Sequence, residues 1–272
     1  MNAIICTILI LALIFLLYLW LIHPSTGKRE SFGKFTEKSY AHRGLWDLSL
    51  GIPENSMPAF QRAVEKGYAI ELDVHLTKDH QLVVFHDDTL KRVCGVKGTP
   101  ESLTMEELQK LPLSGTAEHM PSLRDVLALV RGLTPILVEI KQPTLHSEIC
   151  RYLEPVLSAY EGPYLIESFN PFAIRNYKKL NPCPLFGILS ERYAASLKIS
   201  PLVKILSTAL IFNVICRPDF IAYNFRTDNV TSLWLIRKLY HVPLFAWTVR
   251  KPSELKNCAA RYDAVIFEKF LP

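Results

Sequence analysis

From residue 40 onward, short apolar runs alternate with segments whose apolar residues recur every three to four positions. The first pattern is typical of buried strands and the second of amphipathic helices. The predicted strands are Tyr40–His42, Ala69–His75, Ile136–Ile140, Tyr164–Glu167, Leu185–Leu189, Phe220–Tyr223, Leu244–Val249 and Ala264–Phe267. The predicted helices include Met57–Lys66, Ser122–Arg131, Leu145–Tyr160, Pro171–Leu180, Asn229–Tyr240 and Ser253–Arg261. This alternation predicts an α/β protein, either a (β/α)8 barrel or a doubly wound sheet.

Two segments interrupt the alternation. Residues 77–121 contain a hairpin-like stretch, TKDHQLVVFHDD, and a short helix, TMEELQKL, which together predict an insertion after the second strand. The second segment is Leu197–Cys216, whose only charges are Lys198 and Lys204. It suits an ordinary barrel helix or an interfacial segment that dips into a bilayer. A second membrane span is disfavoured, since both lysines and Pro201 lie in its first half.

The amino-terminal segment has a different composition. Residues 3–22, AIICTILILALIFLLYLWLI, carry no charge, and about 20 such residues cross the hydrocarbon core as a helix. The segment lacks a basic start and a small-x-small cleavage site, which disfavours a cleaved signal peptide. We therefore expect a transmembrane anchor at 1–22, a polar linker at 23–38 and one domain at 39–272. By the positive-inside tendency, a cytoplasmic domain is favoured by Lys28, Arg29, Lys34 and Lys38.

Charge and cysteine content exclude several classes of protein. The formal net charge of +5 comes from 31 basic and 26 acidic side chains, which is too small and dispersed to indicate nucleic-acid binding. It suits a domain held against anionic lipid headgroups. Five of the 6 cysteines lie beyond the apolar span, and they form no C-x-x-C pair, so neither a disulfide framework nor a zinc ribbon is indicated.

Carboxylates cluster at predicted strand ends. Glu71 and Asp73 are two residues apart, so both side chains point to the same side of their strand. Glu139 and Lys141 repeat this arrangement in LVEIK, residues 137–141. Barrel active sites lie at the carboxyl ends of the strands, where these groups would converge. Converging oxygen ligands suit one divalent cation, Ca²⁺ or Mg²⁺, better than zinc.

Two histidines accompany these carboxylates. His42 precedes Arg43 and Gly44, where the glycine allows a tight turn, and His86 is followed by Asp87, which can orient its imidazole. Cleavage of a phosphodiester is helped by a cation that neutralises the phosphate and by a general acid that protonates the leaving alkoxide. The histidines are therefore predicted to be an acid–base pair, and the sequence does not decide which is the acid.

The order and spacing of these motifs resemble the glycerophosphodiester phosphodiesterase family from about Tyr40 to the end of the chain. The motifs that carry the resemblance are HRG (42–44), PENS (53–56), ELDV (71–74), FHDD (85–88) and EIK (139–141). The resemblance implies a TIM-type barrel with a substrate cap after the second strand. It also implies metal-dependent cleavage of a glycerophosphodiester into glycerol 3-phosphate and an alcohol.

The resemblance assigns roles to residues of this chain. It implies His42 and His86 as the acid–base pair. The implied metal ligands are Glu71, Asp73 and Glu139, and the implied phosphate contacts are Arg43 and Lys141. An arginine offers phosphate a bidentate fork, which agrees with that role.

The resemblance also bears on four further positions. Glu54 is expected to line the site, whereas Asn55 is either structural or the cap of the helix that begins near Met57. Trp247 resembles an aromatic residue on the family's seventh strand and would contact the glycerol moiety. The ending DAVIFEKFLP departs from the family's usual acidic ending, and Glu268 occupies approximately that place.

Several functions stay open at this point. The leading hypothesis is a membrane-anchored, metal-dependent glycerophosphodiesterase that works beside the lipid bilayer. A related enzyme would cleave lysophospholipids, and a sphingomyelinase-D-like activity shares the two-histidine logic but matches the motifs less well. An inactive binding protein is disfavoured because every acid, base and ligand position is filled.

Overall fold

The protein is described by a computed structural model, which covers residues 2–141, 148–194, 197 and 199–272. Eight parallel strands close into a barrel, because β1 pairs with both β2 and β9. Within the described residues the strands are β1 (Tyr40–His42), β2 (Ala69–Leu76), β3 (Leu82–Val84), β4 (Ile136–Ile140), β5 (Tyr164–Ser168), β6 (Leu185–Ser190), β7 (Phe220–Asn224), β8 (Leu244–Val249) and β9 (Ala264–Phe267). β3 pairs antiparallel with β2 and forms the hairpin of the insertion. The predicted TIM-type barrel is confirmed, and the doubly wound sheet is excluded.

Helices surround the barrel in the predicted alternation. Those of the described chain are α1 (Asn2–Ile22), α2 (Gly33–Thr36), α3 (Met57–Glu65), α4 (Lys91–Cys94), α5 (Met105–Leu108), α6 (Leu123–Val130), α7 (Ile149–Ser158), α8 (Pro171–Leu180), α9 (Pro201–Thr208), α10 (Asn213–Cys216), α11 (Thr231–Leu235) and α12 (Pro252–Ala259). α11 continues as a π-helix over Ile236–Tyr240, and short 3₁₀ helices cover Arg29–Phe32, Leu48–Leu50 and Pro100–Ser102. Residues 145–147 of the predicted helix Leu145–Tyr160 lie outside the described residues.

The amino-terminal end of the barrel interior is filled by aromatic residues. Phe32 and Phe35, from the segment predicted as a polar linker, are buried together with Tyr40 and Phe220. The Tyr40 hydroxyl donates to the Phe35 carbonyl at 2.9 Å, and the Phe32 and Phe220 rings are 5.9 Å apart. We call Phe32 and Phe35 the barrel floor. Because they close this end, the opposite end, where the strands finish, is left for the site.

The carboxyl end of helix α1 contacts the barrel. Ala3–Ile22 has a mean hydropathy of 3.0 and is exposed over most of its length, so this helix is long and apolar enough to cross a membrane. Its last residues are bound to the barrel: Asn213 Nδ2 donates to the Ile22 carbonyl at 2.9 Å. Arg217 Nη1 donates to the Trp20 carbonyl at 2.7 Å. The helix is thus joined to the barrel by hydrogen bonds as well as by the chain itself.

Leu197–Cys216 forms two short helices over its described part, and Lys198 lies outside that part. α9 has 8 residues and α10 has 4, whereas a span needs about 20. A continuous spanning helix is therefore excluded for this segment. The other interruption, residues 77–121, packs around a small apolar core of its own, formed by Val83, Phe85, Leu90, Val93, Met105, Leu108, Leu113 and Met120.

Candidate active site

A tight turn at the end of β1 presents His42. Arg43 and Gly44 both have left-handed backbone conformations, with φ of 61° and 78°. A Cβ at position 44 would lie 2.9 Å from the backbone of Ala59, so only glycine fits there. The strained Arg43 backbone is held by its own N–H, which donates to Glu71 Oε2 at 2.9 Å. The turn therefore fixes His42 against the carboxylates of the next strand, as the HRG motif predicted.

Three carboxylates form a buried triad on two neighbouring strands. β2 and β4 are parallel, with Asp73 in register with Glu139, and Glu71 lies two residues before Asp73. Ligand oxygens of the three side chains lie within 4.8 Å of one another, and all three residues are buried. Lys141 Nζ lies 2.9 Å from Asp73 Oδ1 and 2.7 Å from Glu139 Oε1. The predicted convergence of these four residues is observed.

The triad carries more negative charge than its surroundings compensate. Burial raises the pKa of Glu71 well above its usual value, and the carboxylates of Asp73 and Glu139 raise it further. Burial also raises the pKa of Glu139, although Lys141 opposes this. Burial acts upward on the pKa of Asp73 too, but Lys141 brings it well below its usual range. Excess buried negative charge of this kind is relieved by a cation.

His42 is oriented by a carboxylate from the last strand. Its Nδ1 lies 2.7 Å from Glu268 Oε2, and Arg250 Nε lies 2.5 Å from the other oxygen of that carboxylate. Hydrogen bonds from His42 and Arg250 lower the pKa of Glu268 despite its burial, so this carboxylate is ionised and accepts. Nδ1 of His42 therefore carries the proton, which leaves a lone pair on Nε2. Burial, and then the charge of Arg43, lower the pKa of His42 to about 4, although Glu268 opposes them.

The imidazole of His86 is also held by a carboxylate. Its Nδ1 lies 2.7 Å from Asp87 Oδ1, as the sequence predicted, and the two imidazole rings are 6.5 Å apart. Arg92 Nε donates to Asp87 Oδ2 at 2.6 Å and Arg92 Nη2 to Glu54 Oε1 at 2.6 Å. Glu54 in turn accepts from Arg43 Nη1 at 2.8 Å.

Asn55 is structural, and it is not the cap of α3. The Ser56 hydroxyl caps that helix by accepting from the Ala59 N–H. Asn55 instead donates through Nδ2 to Asp73 Oδ2 at 2.9 Å, with a left-handed φ of 53°. The PENS motif thereby places an amide directly on the triad.

A cavity of about 140 Å³ opens between the histidines and β8. Its lining includes six of the residues predicted to form the site, namely His42, Arg43, Glu71, His86, Glu139 and Trp247. Trp247 lies in an irregular stretch of β8 between Ala246 and Val249, and its Nε1 is buried without a hydrogen-bond partner in the described part of the protein. The remaining predicted residues, Glu54, Asp73 and Lys141, lie outside this lining and contact residues that form it.

The sequence analysis did not assign several residues that contribute to the site. Glu167, Phe169 and Arg250 line the cavity. Glu167 is fully buried, and burial together with the charge of Glu139 raises its pKa well above the usual value. Glu167 and Arg250 each stand at the end of a predicted apolar strand, which is the signal that identified Glu71 and Glu139. Applying that signal to every strand would have found both of them.

A parallel barrel that combines two carboxylate-held histidines with a buried acidic triad at the ends of its strands belongs to the class of phosphodiesterase-like barrels. Residues 42–270 match the glycerophosphoryl diester phosphodiesterase family. The chain belongs to this family. The family depends on a divalent metal ion, and the triad offers the acidic groups for one.

Two curated relatives show the range of activities among similar proteins. The chain is 37% identical over 163 residues to a glycerophosphodiester phosphodiesterase of Caldanaerobacter subterraneus, covering 56% of this chain and 65% of that protein. It is 36% identical over 137 residues to a human lysophospholipase D, covering 46% of this chain and 42% of that protein. The matches thus span less than two thirds of either relative.

The fold is shared with solved structures. A phosphodiesterase of Oleispira antarctica, solved in complex with its product sn-glycerol-3-phosphate, superposes with a TM-score of 0.68. The superposition covers 85% of this chain and 92% of that chain at 24% identity. This likeness confirms the barrel and its arrangement of helices.

Proposed function

We propose that this chain hydrolyses glycerophosphodiesters to sn-glycerol 3-phosphate and an alcohol. The observation that carries the proposal is the pair formed by His42 and His86. Each imidazole is held at Nδ1 by a carboxylate at 2.7 Å, and both residues line one cavity with their ring centroids 6.5 Å apart. A phosphodiester between them would have one proton-transfer group beside the attacking oxygen and another beside the leaving oxygen.

One divalent cation, Ca²⁺ or Mg²⁺, fits the triad of Glu71, Asp73 and Glu139. The donors are all carboxylate oxygens, which both ions prefer, and the raised pKa values of Glu71 and Glu139 support a need for added positive charge. When bound, such an ion neutralises phosphate charge and lowers the pKa of an attacking hydroxyl group. Lys141, between Asp73 and Glu139, balances the charge that one divalent ion leaves over.

The chain's own residues would bind and orient the substrate. Arg43 faces the cavity with its guanidinium held by Glu54, which pre-orients it for phosphate. Trp247 lines the same cavity, and Phe169 packs edge-on against its ring at 5.5 Å. These two rings suit the carbon face of a glycerol moiety.

The two histidines can be given different roles. His42, whose pKa lies near 4, is neutral at physiological pH, and its Nε2 lone pair accepts a proton from the attacking hydroxyl. A divalent ion nearby would favour the neutral imidazole still more strongly. His86 then protonates the leaving alcohol, and after product leaves His42 releases its proton to solvent while His86 takes one up from solvent.

α1 is proposed to anchor the enzyme in a membrane, with the barrel in the cytoplasm. The support is the length and composition of Ala3–Ile22 and the basic residues that follow it in the sequence. Lysophospholipids are the second candidate substrate, because a membrane-held enzyme meets them in the bilayer and because one relative is a lysophospholipase D.

The purified full-length chain should be assayed with glycerophosphocholine, glycerophosphoethanolamine and lysophosphatidylcholine, with each metal in turn. We expect hydrolysis of at least one substrate with Ca²⁺ or Mg²⁺, and none after chelation. His86→Ala should lose activity on these substrates but regain it on a glycerophosphodiester of nitrophenol, whose leaving group needs no protonation. Hydrolysis that survives exhaustive chelation, or an unimpaired His86→Ala variant, would refute the proposal.

A further inference from the structure

α9 exposes apolar residues to solvent and buries none of its side chains fully. Leu202 and Ile205 are 62% and 64% exposed. The one charged residue of the helix, Lys204, is half-buried and donates to the Ala194 carbonyl at 3.0 Å. An ordinary barrel helix turns its apolar side to the core, whereas α9 leaves much of its apolar surface exposed. Five exposed apolar residues make up what we call the α9 face: Leu197, Ile199, Leu202, Val203 and Ile205.

The α9 face adjoins the place where α1 leaves the barrel. α10 follows α9 after four residues, and its Asn213 holds the Ile22 carbonyl at the end of α1. α9 is about 12 Å long at the usual rise of a helix, and its carboxyl end is the end that leads to that junction. A bilayer crossed by α1 would therefore have its surface beside the α9 face.

The other element that holds α1 also exposes large apolar residues. Tyr240, at the end of the π-helix, donates to the Leu19 carbonyl at 3.0 Å. Trp234 and Leu239 on the same helical segment are 59% and 51% exposed. Tryptophan is enriched at the level of lipid headgroups, and Trp20 near the end of α1 is itself exposed. Apolar surface thus flanks the junction on two sides.

The charges around the α9 face match an anionic membrane surface. The sequence from Arg192 to Pro218 contains no aspartate or glutamate but contains Arg192, Lys198, Lys204 and Arg217. Even with Glu191 and Asp219 at its two ends, this stretch keeps a net positive charge, which is attracted to anionic headgroups. A soluble protein partner would not require the face to adjoin a membrane-length helix, so a bilayer explains position, charge and apolarity together.

We infer that the α9 face lies on the bilayer and inserts into the boundary between headgroups and acyl chains. α9 follows β6 and therefore begins at the end of the barrel that holds the active site. α1 is held at the amino end of the barrel, so lipid contact along α9 would tilt the barrel about that junction and bring the rim of the cavity, at the other end, closer to the membrane surface. The membrane contact itself does not depend on the proposed function. Its consequence for substrate does rest on that function: we expect the substrates to include lysophospholipids taken from the bilayer.

Photocrosslinking tests the surface without depending on activity. The full-length chain is reconstituted into vesicles of phosphatidylcholine and phosphatidylglycerol, with a photoreactive phenylalanine analogue at position 202. The matched control carries the analogue at position 133, where Leu133 is 61% exposed between α6 and β4. We expect lipid adducts at position 202 well above those at position 133. Equal adduct yields at the two positions would overturn the inference.

A kinetic comparison tests the consequence for substrate. Leu202→Glu combined with Ile205→Glu should lower hydrolysis of lysophosphatidylcholine in vesicles by about 10-fold or more, since buried apolar contacts with lipid are lost. Hydrolysis of soluble glycerophosphocholine should not change, and Leu133→Glu should affect neither substrate. Equal rates for the double variant and the wild type on vesicles would contradict the tilt. If the wild type cleaves neither substrate, the proposed function fails. The crosslinking experiment still tests whether the α9 face contacts lipid.

Discussion

The imidazole Nδ1 of His42 lies 2.7 Å from Glu268 Oε2, a hydrogen bond that joins the end of β1 to the residue after β9. These two strands are neighbours because the barrel closes between them. The closure therefore sets the tautomer of His42 and directs its Nε2 lone pair. Glu268 acts through the histidine as a positioning residue.

Glu268→Gln should lower kcat by about 10²-fold, because an amide offers a donor as well as an acceptor and no longer requires a proton on Nδ1. The charge of Glu268 raises the pKa of His42, so its loss should lower that pKa below about 4. If His42 is the base, activity is lost as the pH falls through this pKa, and the acid limb of kcat/KM should move to lower pH in the variant. A pH profile measures this shift. If the acid limb of the pH profile does not move in the variant, Glu268 has only a structural role.

Replacing either histidine by alanine should lower kcat by about 10²–10⁴-fold while the protein stays folded. Circular dichroism provides the check on folding, and His119→Ala, at an exposed histidine of the insertion, is the matched control. If His42→Ala and His86→Ala both keep the activity of the control, the acid–base scheme is wrong.

Metal affinity should increase as the pH rises. The pKa values of Glu71 and Glu139 are raised, so protons occupy these carboxylates above their usual titration range and compete with the ion. Raising the pH removes the competing protons, and binding should release protons wherever the carboxylates are partly protonated. Calorimetry in buffers of different ionisation enthalpy measures both effects.

Glu71→Gln, Asp73→Asn and Glu139→Gln should each weaken metal binding and lower activity by roughly 10²-fold or more. Glu106→Gln, at an exposed carboxylate of the insertion, provides a control. Metal binding that is independent of pH and unaffected in all three triad variants would place the ion elsewhere.

The barrel floor should contribute to stability. Phe32 and Phe35 are buried, so Phe32→Ala and Phe35→Ala should each destabilise the protein by about 3–5 kcal/mol. Leu48→Ala, at a half-exposed position, should change stability by less than about 0.5 kcal/mol. Denaturant unfolding of the detergent-solubilised chain gives these values. Floor variants as stable as Leu48→Ala would show that residues 29–36 merely cover the barrel.

α1 should hold the protein in membranes through high-salt and alkaline washes, because about 20 buried apolar residues are not displaced by screening charge. If the barrel is cytoplasmic, protease added to intact cells should leave it uncut and should degrade it after lysis. Cleavage in intact cells would reverse the orientation without affecting the chemistry proposed for the site.

The sequence predicted those parts of the site that depend on local spacing. Glu71 and Asp73 share a face because strands have a period of two, and Gly44 permits the turn that follows His42. Glu268 is different, since its partner His42 comes from a strand distant in the sequence and only the closed barrel brings the two together. Phe32 and Phe35 were assigned to a polar linker because two aromatic residues among charges carry no periodic signal. The sequence left three interpretations of Leu197–Cys216 open, because composition does not show which side of a helix faces the core.

Phosphorus NMR of the reaction with glycerophosphocholine tests the central claim most directly. Hydrolysis between phosphorus and the choline oxygen should yield sn-glycerol 3-phosphate as the phosphorus-containing product, in the presence of Ca²⁺ or Mg²⁺, and the signal should be lost in the His42→Ala variant. Formation of phosphocholine instead, or of either product at an unchanged rate in His42→Ala, would contradict the proposed reaction.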